Sequence, residues 1–61
     1  MNNYLVTVTA IDPDKGKYSI EIPVQAKTAA HAKRIAHKTA RQMGAYYITD
    51  LTAERRYYDE D

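Results

Sequence analysis

Two alternating segments on either side of a short polar turn constrain the fold more than any other part of this chain. "YLVTVTAI" (residues 4–11) and "KYSIEIPV" (residues 17–24) are rich in β-branched residues and alternate apolar with polar positions, as half-buried strands do. Between them lies "DPDKG", in which Asp12 can form an Asx turn, Pro13 fixes φ and Gly16 can adopt a positive φ. The pattern therefore predicts an antiparallel β-hairpin.

One register of this hairpin sets every apolar residue of the second strand against an apolar residue of the first. Counted from Ile11 opposite Lys17, the apolar pairs are Ala10–Tyr18, Val8–Ile20, Val6–Ile22 and Tyr4–Val24. The polar pairs on the other face are Thr9–Ser19 and Thr7–Glu21. A slip of one residue would turn every side chain to the opposite face, so the register is well specified. Pro23 cannot donate a hydrogen bond to a neighbouring strand, which predicts that the second strand lies at an edge.

One amphipathic helix is predicted after the hairpin, over residues 29–43, with Thr28 as its N-cap and Gly44 just beyond its end. Its core face is predicted to consist of mostly small residues: Ala29, Ala32, Ile35, Ala36, Thr39, Ala40 and Met43. Because these side chains are small, the helix is expected to lie close to the sheet.

A third strand is predicted from Tyr46 to Thr52, and residues 53–58 either extend it or form a fourth strand. Its phase is ambiguous, because Ile48 and Leu51 fall on opposite faces of a regular strand. A bulge near Thr49-Asp50 would turn both of them inward.

Tyr46 or Tyr47, at the start of this strand, is expected to close the core. Residues 59–61, at the end of the sequence, are expected to be frayed.

These elements, in the order ββαβ, predict a single α+β domain over residues 1–61. A right-handed crossover after the second strand places the third strand beside the first, giving a three-stranded antiparallel sheet of order 2-1-3 with the helix packed on one face. The other face would be uncovered in a monomer and would carry Leu5, Thr7, Thr9, Ser19, Glu21 and, in one phase of the third strand, Tyr47. A chain of this size buries only about 60% of its unfolded surface, so a homodimer or a tight partner is expected to complete its stability.

The helix sequence "HAKRIAHKTARQ", residues 31–42, contains no acidic residue. The predicted partner-binding residues on its outer face, which span roughly 140°, are Lys33, Arg34, His37, Lys38 and Arg41. One interpretation is a solvated face whose later cations favour the helix C-terminal dipole. The other is a surface that recognises phosphate or an acidic protein. The lack of any i,i+4 Glu partner favours binding, since a merely solvated helix usually mixes charges.

Neither catalytic chemistry nor a cofactor is predicted. The chain has no Cys, and its two glycines cannot form a Gly-rich phosphate loop. His31 and His37 lie about 120° apart around the helix, which does not suit a metal ion. "DPDKG" begins like a calcium loop, but the twelfth position is Pro23 rather than Glu. The protein is therefore predicted not to be an enzyme and to hold no metal.

The chain shows neither a long apolar run nor a basic, apolar N-terminal segment, so no membrane association is predicted and a cytoplasmic location is expected. The sequence contains six tyrosines but no Phe and no Trp. Because tyrosine suits interfaces, a further contact region is predicted at Tyr47, Arg55, Arg56, Tyr57 and Tyr58.

Residues 4–40 also show a sequence pattern that is common in certain small proteins. Two strands end in an "I-x-V-x-A" step (Ile22, Val24, Ala26), and a helix that starts at Thr28 continues with an "A-x-x-A-K-R-I-A" segment over residues 29–36. This outline resembles small phage and mobile-element proteins, including some anti-CRISPR proteins directed at type I surveillance complexes.

The resemblance implies a non-enzymatic, phage-derived inhibitor that docks on a host protein or ribonucleoprotein complex in the bacterial cytoplasm. Direct, non-specific binding of nucleic acid by the same basic face, with tyrosine stacking, is the alternative.

Overall fold

A computed structural model of the protein describes residues 1–56, which form a hairpin, a helix and a third strand. The elements in chain order are β1 (Asn2–Asp12), β2 (Gly16–Ala26), α1 (Ala29–Gln42) and β3 (Ile48–Arg56). The sheet order is β2-β1-β3, and both outer strands run antiparallel to β1. The predicted ββαβ fold is therefore confirmed. No helix within residues 1–56 is long and apolar enough to cross a membrane.

The hairpin has the predicted register along its whole length, and both strands are longer than predicted, since pairing continues outward to Asn2–Ala26 and Asp12–Gly16. At the turn, the backbone N–H groups of Asp14 and Lys15 donate to Oδ1 of Asp12 at 2.7 and 3.2 Å. These two hydrogen bonds lower the pKa of the Asp12 carboxyl. Gly16 closes the turn with a φ of +91°. The predicted Asx turn is thus present.

The core lies between β1 and the helix. Along α1 the residues at i, i+4 and i+8 (Ala32, Ala36 and Ala40) are fully buried, as are Val6 and Val8 on the central strand. The remaining members of the buried cluster are Tyr4, Ala10, Ile22, Val24, Ala26 and Ala45. The centre of the predicted small-residue helix face is therefore confirmed, and most of the core volume comes from the strands.

The helix begins and ends at specific capping groups. Thr28 has extended backbone geometry, and its Oγ1 accepts a hydrogen bond from the N–H of His31 at 3.1 Å. At the other end, Gly44 adopts a φ of +100°, its N–H donates to the carbonyl of Arg41, and the N–H of Ala45 donates to the carbonyl of Ala40. This pair of bonds is a Schellman motif, which brings the residue after the glycine back against the helix.

The Schellman motif explains two wrong predictions. Ala45, not a tyrosine, occupies the buried position after Gly44, whereas Tyr46 and Tyr47 are 64% and 63% exposed. The helix also ends one residue earlier than predicted, because Met43 is its C-cap and is 65% exposed rather than part of the core. Ala29, at the first turn, is exposed as well.

The predicted bulge is present at the start of β3. Ala10 pairs with Ile48 and Thr9 pairs with Asp50, so Thr49 is an extra residue. The Thr49 hydroxyl donates to the Thr9 carbonyl at 3.3 Å.

As predicted, the bulge turns both Ile48 and Leu51 toward the core, where they are half-buried. The strand starts two positions later than expected, and residues 53–56 extend it. Residues 57–61, including the end predicted to be frayed, lie outside the described residues.

Candidate partner-binding face

The basic residues of α1 form one continuous surface because the alanine stripe fixes how the helix is turned. Ala32, Ala36 and Ala40 face the sheet. Because successive side chains are rotated by about 100° around the helix axis, this contact determines which way every other side chain of the helix points relative to the sheet. Five basic residues lie on the flank and the outer side of the helix and are called the basic face below: Lys33, Arg34, His37, Lys38 and Arg41. The structure therefore brings together all five residues that the sequence singled out.

The members of the basic face differ in exposure. Arg34, Lys38 and Arg41 are exposed, whereas Lys33 and His37 are half-buried on the flank of the helix. Long side chains can lay their aliphatic part on apolar surface while the charged end stays in water. The outer three cations can thus reach a partner freely, and the inner two have fewer available rotamers.

No carboxylate neutralises this surface within residues 1–56. The first turn of α1 holds no acidic residue, and the described residues offer none of the five basic-face side chains an ion pair within 4.0 Å. Arg41 lies in the last turn, where the helix dipole favours a cation. The basic face therefore presents its charge to solvent.

A shallow groove marks the side of the helix that faces β3. His37 lines it together with Ile48, Thr49, Asp50 and Leu51, and its volume is about 250 Å³. The groove shows that the flank carrying His37 leans over the bulged start of β3. The basic face thus lies on the β3 side of the molecule rather than on the β2 side.

The structure describes three residues of the second predicted contact region, and these three do not lie side by side. Tyr47 precedes β3, whereas Arg55 and Arg56 end it, so they lie about 25 Å apart along an extended strand.

The two arginines also lie on opposite faces of the sheet, because side chains alternate along a strand. Arg55 shares the helix side and donates to Oδ1 of Asn2 at 3.0 Å. Arg56 lies 3.8 Å from Glu54 on the open side, which is the face of the sheet that the helix does not cover. Tyr57 and Tyr58 lie outside the described residues.

Sequence reasoning did not place the two carboxylates of β3 on the open sheet face. The register places Asp50 and Glu54 of β3 on the same face as Glu21 of β2. The bulge near Thr49-Asp50 was predicted, but its consequence for Asp50 and Glu54 follows only from the pairing of β3 with β1. The basic face thus lies over one side of the sheet, whereas the other side carries these three carboxylates together with two cations, Lys17 and Arg56.

Residues 1–56 contain no group of three His, Cys, Asp or Glu side chains that could hold a metal ion. Comparison of the chain with protein-family models, with curated proteins and with solved structures finds no match.

Proposed function

We propose that this protein is a small binding protein without catalytic chemistry, of phage origin, that inhibits a host protein or ribonucleoprotein complex in the bacterial cytoplasm by docking on it. The contact would be made by the basic face, against an acidic or phosphate-bearing surface. The observation that carries the proposal is the continuous, unneutralised charge of this face among the described residues.

The distribution of acidic residues supports a compact protein surface as the target. Glu21, Asp50 and Glu54 lie on the open side of the sheet, and the sequence ends in three acids, Asp59-Glu60-Asp61. A polyanion that wrapped around the molecule would meet these carboxylates. A partner that touches only the exposed cations Arg34, Lys38 and Arg41 on the outer side of the helix would not.

A double charge reversal tests the proposal. Tagged protein is used to capture partners from a bacterial lysate, with and without nuclease, in parallel with the variant Arg34→Glu/Lys38→Glu. Both side chains are exposed, so the variant is expected to remain folded. We expect the variant to lose the captured partner, and capture by the parent protein to survive nuclease unless the partner itself is a ribonucleoprotein.

The matched control is Lys15→Glu/Lys17→Glu, which changes the net charge equally but at the exposed hairpin turn. It should retain every partner. Capture that is equal for the parent and both variants would show that the basic face is only a solvated surface.

Direct nucleic-acid binding is the second candidate, and the exposure of Tyr46 and Tyr47 favours it. Both rings follow the end of α1, so they could stack on bases beside Arg41. Contact with about four phosphates predicts a log–log salt slope of about −3 for single-stranded DNA, or about −3.6 for duplex DNA, and little sequence preference. Docking on a protein instead predicts weak binding to free nucleic acid. The variant Tyr46→Ser/Tyr47→Ser should weaken DNA binding only if the tyrosines stack.

A further inference from the structure

The outer edge of β3 is the most accessible template for another strand. Within residues 1–56, β3 pairs with β1 alone, so every second N–H and C=O group of its nine residues points away from the sheet. β2, the other edge, is interrupted by Pro23, which removes a donor. We propose that two copies of this protein pair β3 against β3, antiparallel, about a two-fold axis at Ala53.

The geometry of antiparallel strands limits the possible registers. Residues directly opposite each other must both point toward the partner strand or both away from it, so a strand that pairs with its own copy is centred on a residue. Centring on Ala53 joins residues 50–56 of the two copies, which is the regular part of β3 beyond the bulge. The pairs are then Asp50 with Arg56, Leu51 with Arg55 and Thr52 with Glu54, each occurring twice.

Charge complementarity selects this register over its neighbours. Centring on Thr52 would set Asp50 opposite Glu54 twice and would include the bulge at Thr49. Centring on Glu54 would set two copies of that carboxylate opposite each other. Opposite charges across a strand pair stabilise it, and like charges destabilise it. Of these three registers, only the one centred on Ala53 both places an acid opposite a base at each end and avoids the bulge.

The side chains that this register needs are accessible. Asp50 is exposed, and the Arg56 and Glu54 side chains, which are 3.8 Å apart, are 47% and 66% exposed. Leu51 and Ala53 are half-buried, so the pairing would cover apolar surface that one copy leaves in contact with water.

The helices do not obstruct the pairing. Because α1 contacts all three strands, it lies over the central strand, β1. The two β1 strands would be three strand spacings apart, about 14 Å, which exceeds the roughly 8–10 Å between packed helices. The result is a continuous sheet of both copies, with a groove between two helices that both present His37 toward β3. This pairing does not depend on what the basic face binds.

Charge exchange between two variants tests the pairing by sedimentation equilibrium. We expect the parent protein to dimerise, and Asp50→Arg and Arg56→Asp each to weaken their own homodimer by roughly tenfold, because two attractive pairs become repulsive. An equal mixture of the two variants should dimerise again, since each introduced charge then faces its opposite. Glu21→Arg, on β2 of the same sheet face, is the matched control and should leave the dimer unchanged.

Hydrogen exchange on the parent protein gives a readout that needs no variant. Alternate amides of residues 50–56 should become more protected as the concentration rises. A parent protein that stays monomeric at its highest soluble concentration would overturn the proposal. Two other results would also overturn it: a dimer whose dissociation constant is unchanged by both charge variants, or a mixture of the two variants that dimerises no more tightly than either variant alone.

Discussion

Replacement of Ala36 by Leu tests whether the helix rests on the sheet through its alanine stripe. Ala36 is fully buried, and the alanines one turn before and after it are fully buried too. The helix axis is therefore held close to β1, and a larger side chain at this position has to displace either the helix or a strand.

The expected loss of stability follows from that lack of space. Overpacking a close-packed core costs about 1–3 kcal/mol. The total free energy of unfolding for a chain of this length is roughly 3–9 kcal/mol, so the loss would be a large fraction of it. In a domain of this size each 1 kcal/mol lowers Tm by about 4–8 °C.

Urea denaturation of Ala36→Leu beside the matched variant Ala30→Leu measures this effect. Ala30 is exposed on the same helix, and Leu has nearly the helix propensity of Ala, so the control should change stability by less than about 0.5 kcal/mol. The two variants should share one m-value and differ in midpoint. Equal midpoints, or a more stable Ala36→Leu protein, would refute the close packing of helix on sheet.

Three further substitutions have defined outcomes. Thr28→Ala should lower the free energy of unfolding by about 1 kcal/mol, because the N–H of His31 loses its acceptor, whereas Thr28→Ser should retain most of it in the same urea titration. Gly44→Ala should cost about 1–2 kcal/mol although no residue beyond its two chain neighbours lies within 4 Å of the new Cβ, since the φ of +100° alone disfavours an L-residue; an unchanged midpoint would contradict this. Asp12 has a pKa below its unfolded value, so its contribution to stability is present above about pH 4 and is lost as the pH falls through the lower, folded-state pKa. Asp12→Asn should remove that part of the acid sensitivity in urea titrations at low pH. Asp14→Asn should not, because the Asp14 carboxylate accepts no hydrogen bond from residues 1–56.

The hairpin could be predicted residue by residue because two independent signals agreed. Alternation fixed which side chains face inward, and the turn chemistry of Asp12 and Gly16 fixed where the chain reverses. The position of the helix and the grouping of its basic residues followed from one periodicity and one N-cap. Local signals were sufficient wherever the relevant contacts are close in the sequence.

The region after the helix was predicted less well because its geometry depends on a capping motif. Gly44 was recognised as the end of the helix, but the two hydrogen bonds that follow it decide which residue turns inward. They select Ala45 and send Tyr46 and Tyr47 to solvent. An aromatic ring is the stronger candidate for burial by hydrophobicity alone, so propensity favoured the wrong residue.

The two proposed surfaces are coupled through electrostatics. Pairing of two copies at β3 would bring the two helices to the same side of one sheet, about 14 Å apart between their axes, with the basic faces turned toward each other across the groove. The facing cations are then closer together than the axes, so at physiological salt, where the Debye length is about 8 Å, their repulsion is only partly screened, and it is stronger at low salt. An acidic partner that bridges the two faces would remove the repulsion and bind through both copies at once. Because such coupling is reciprocal, a partner that binds the basic face more tightly in the dimer must also favour pairing of β3.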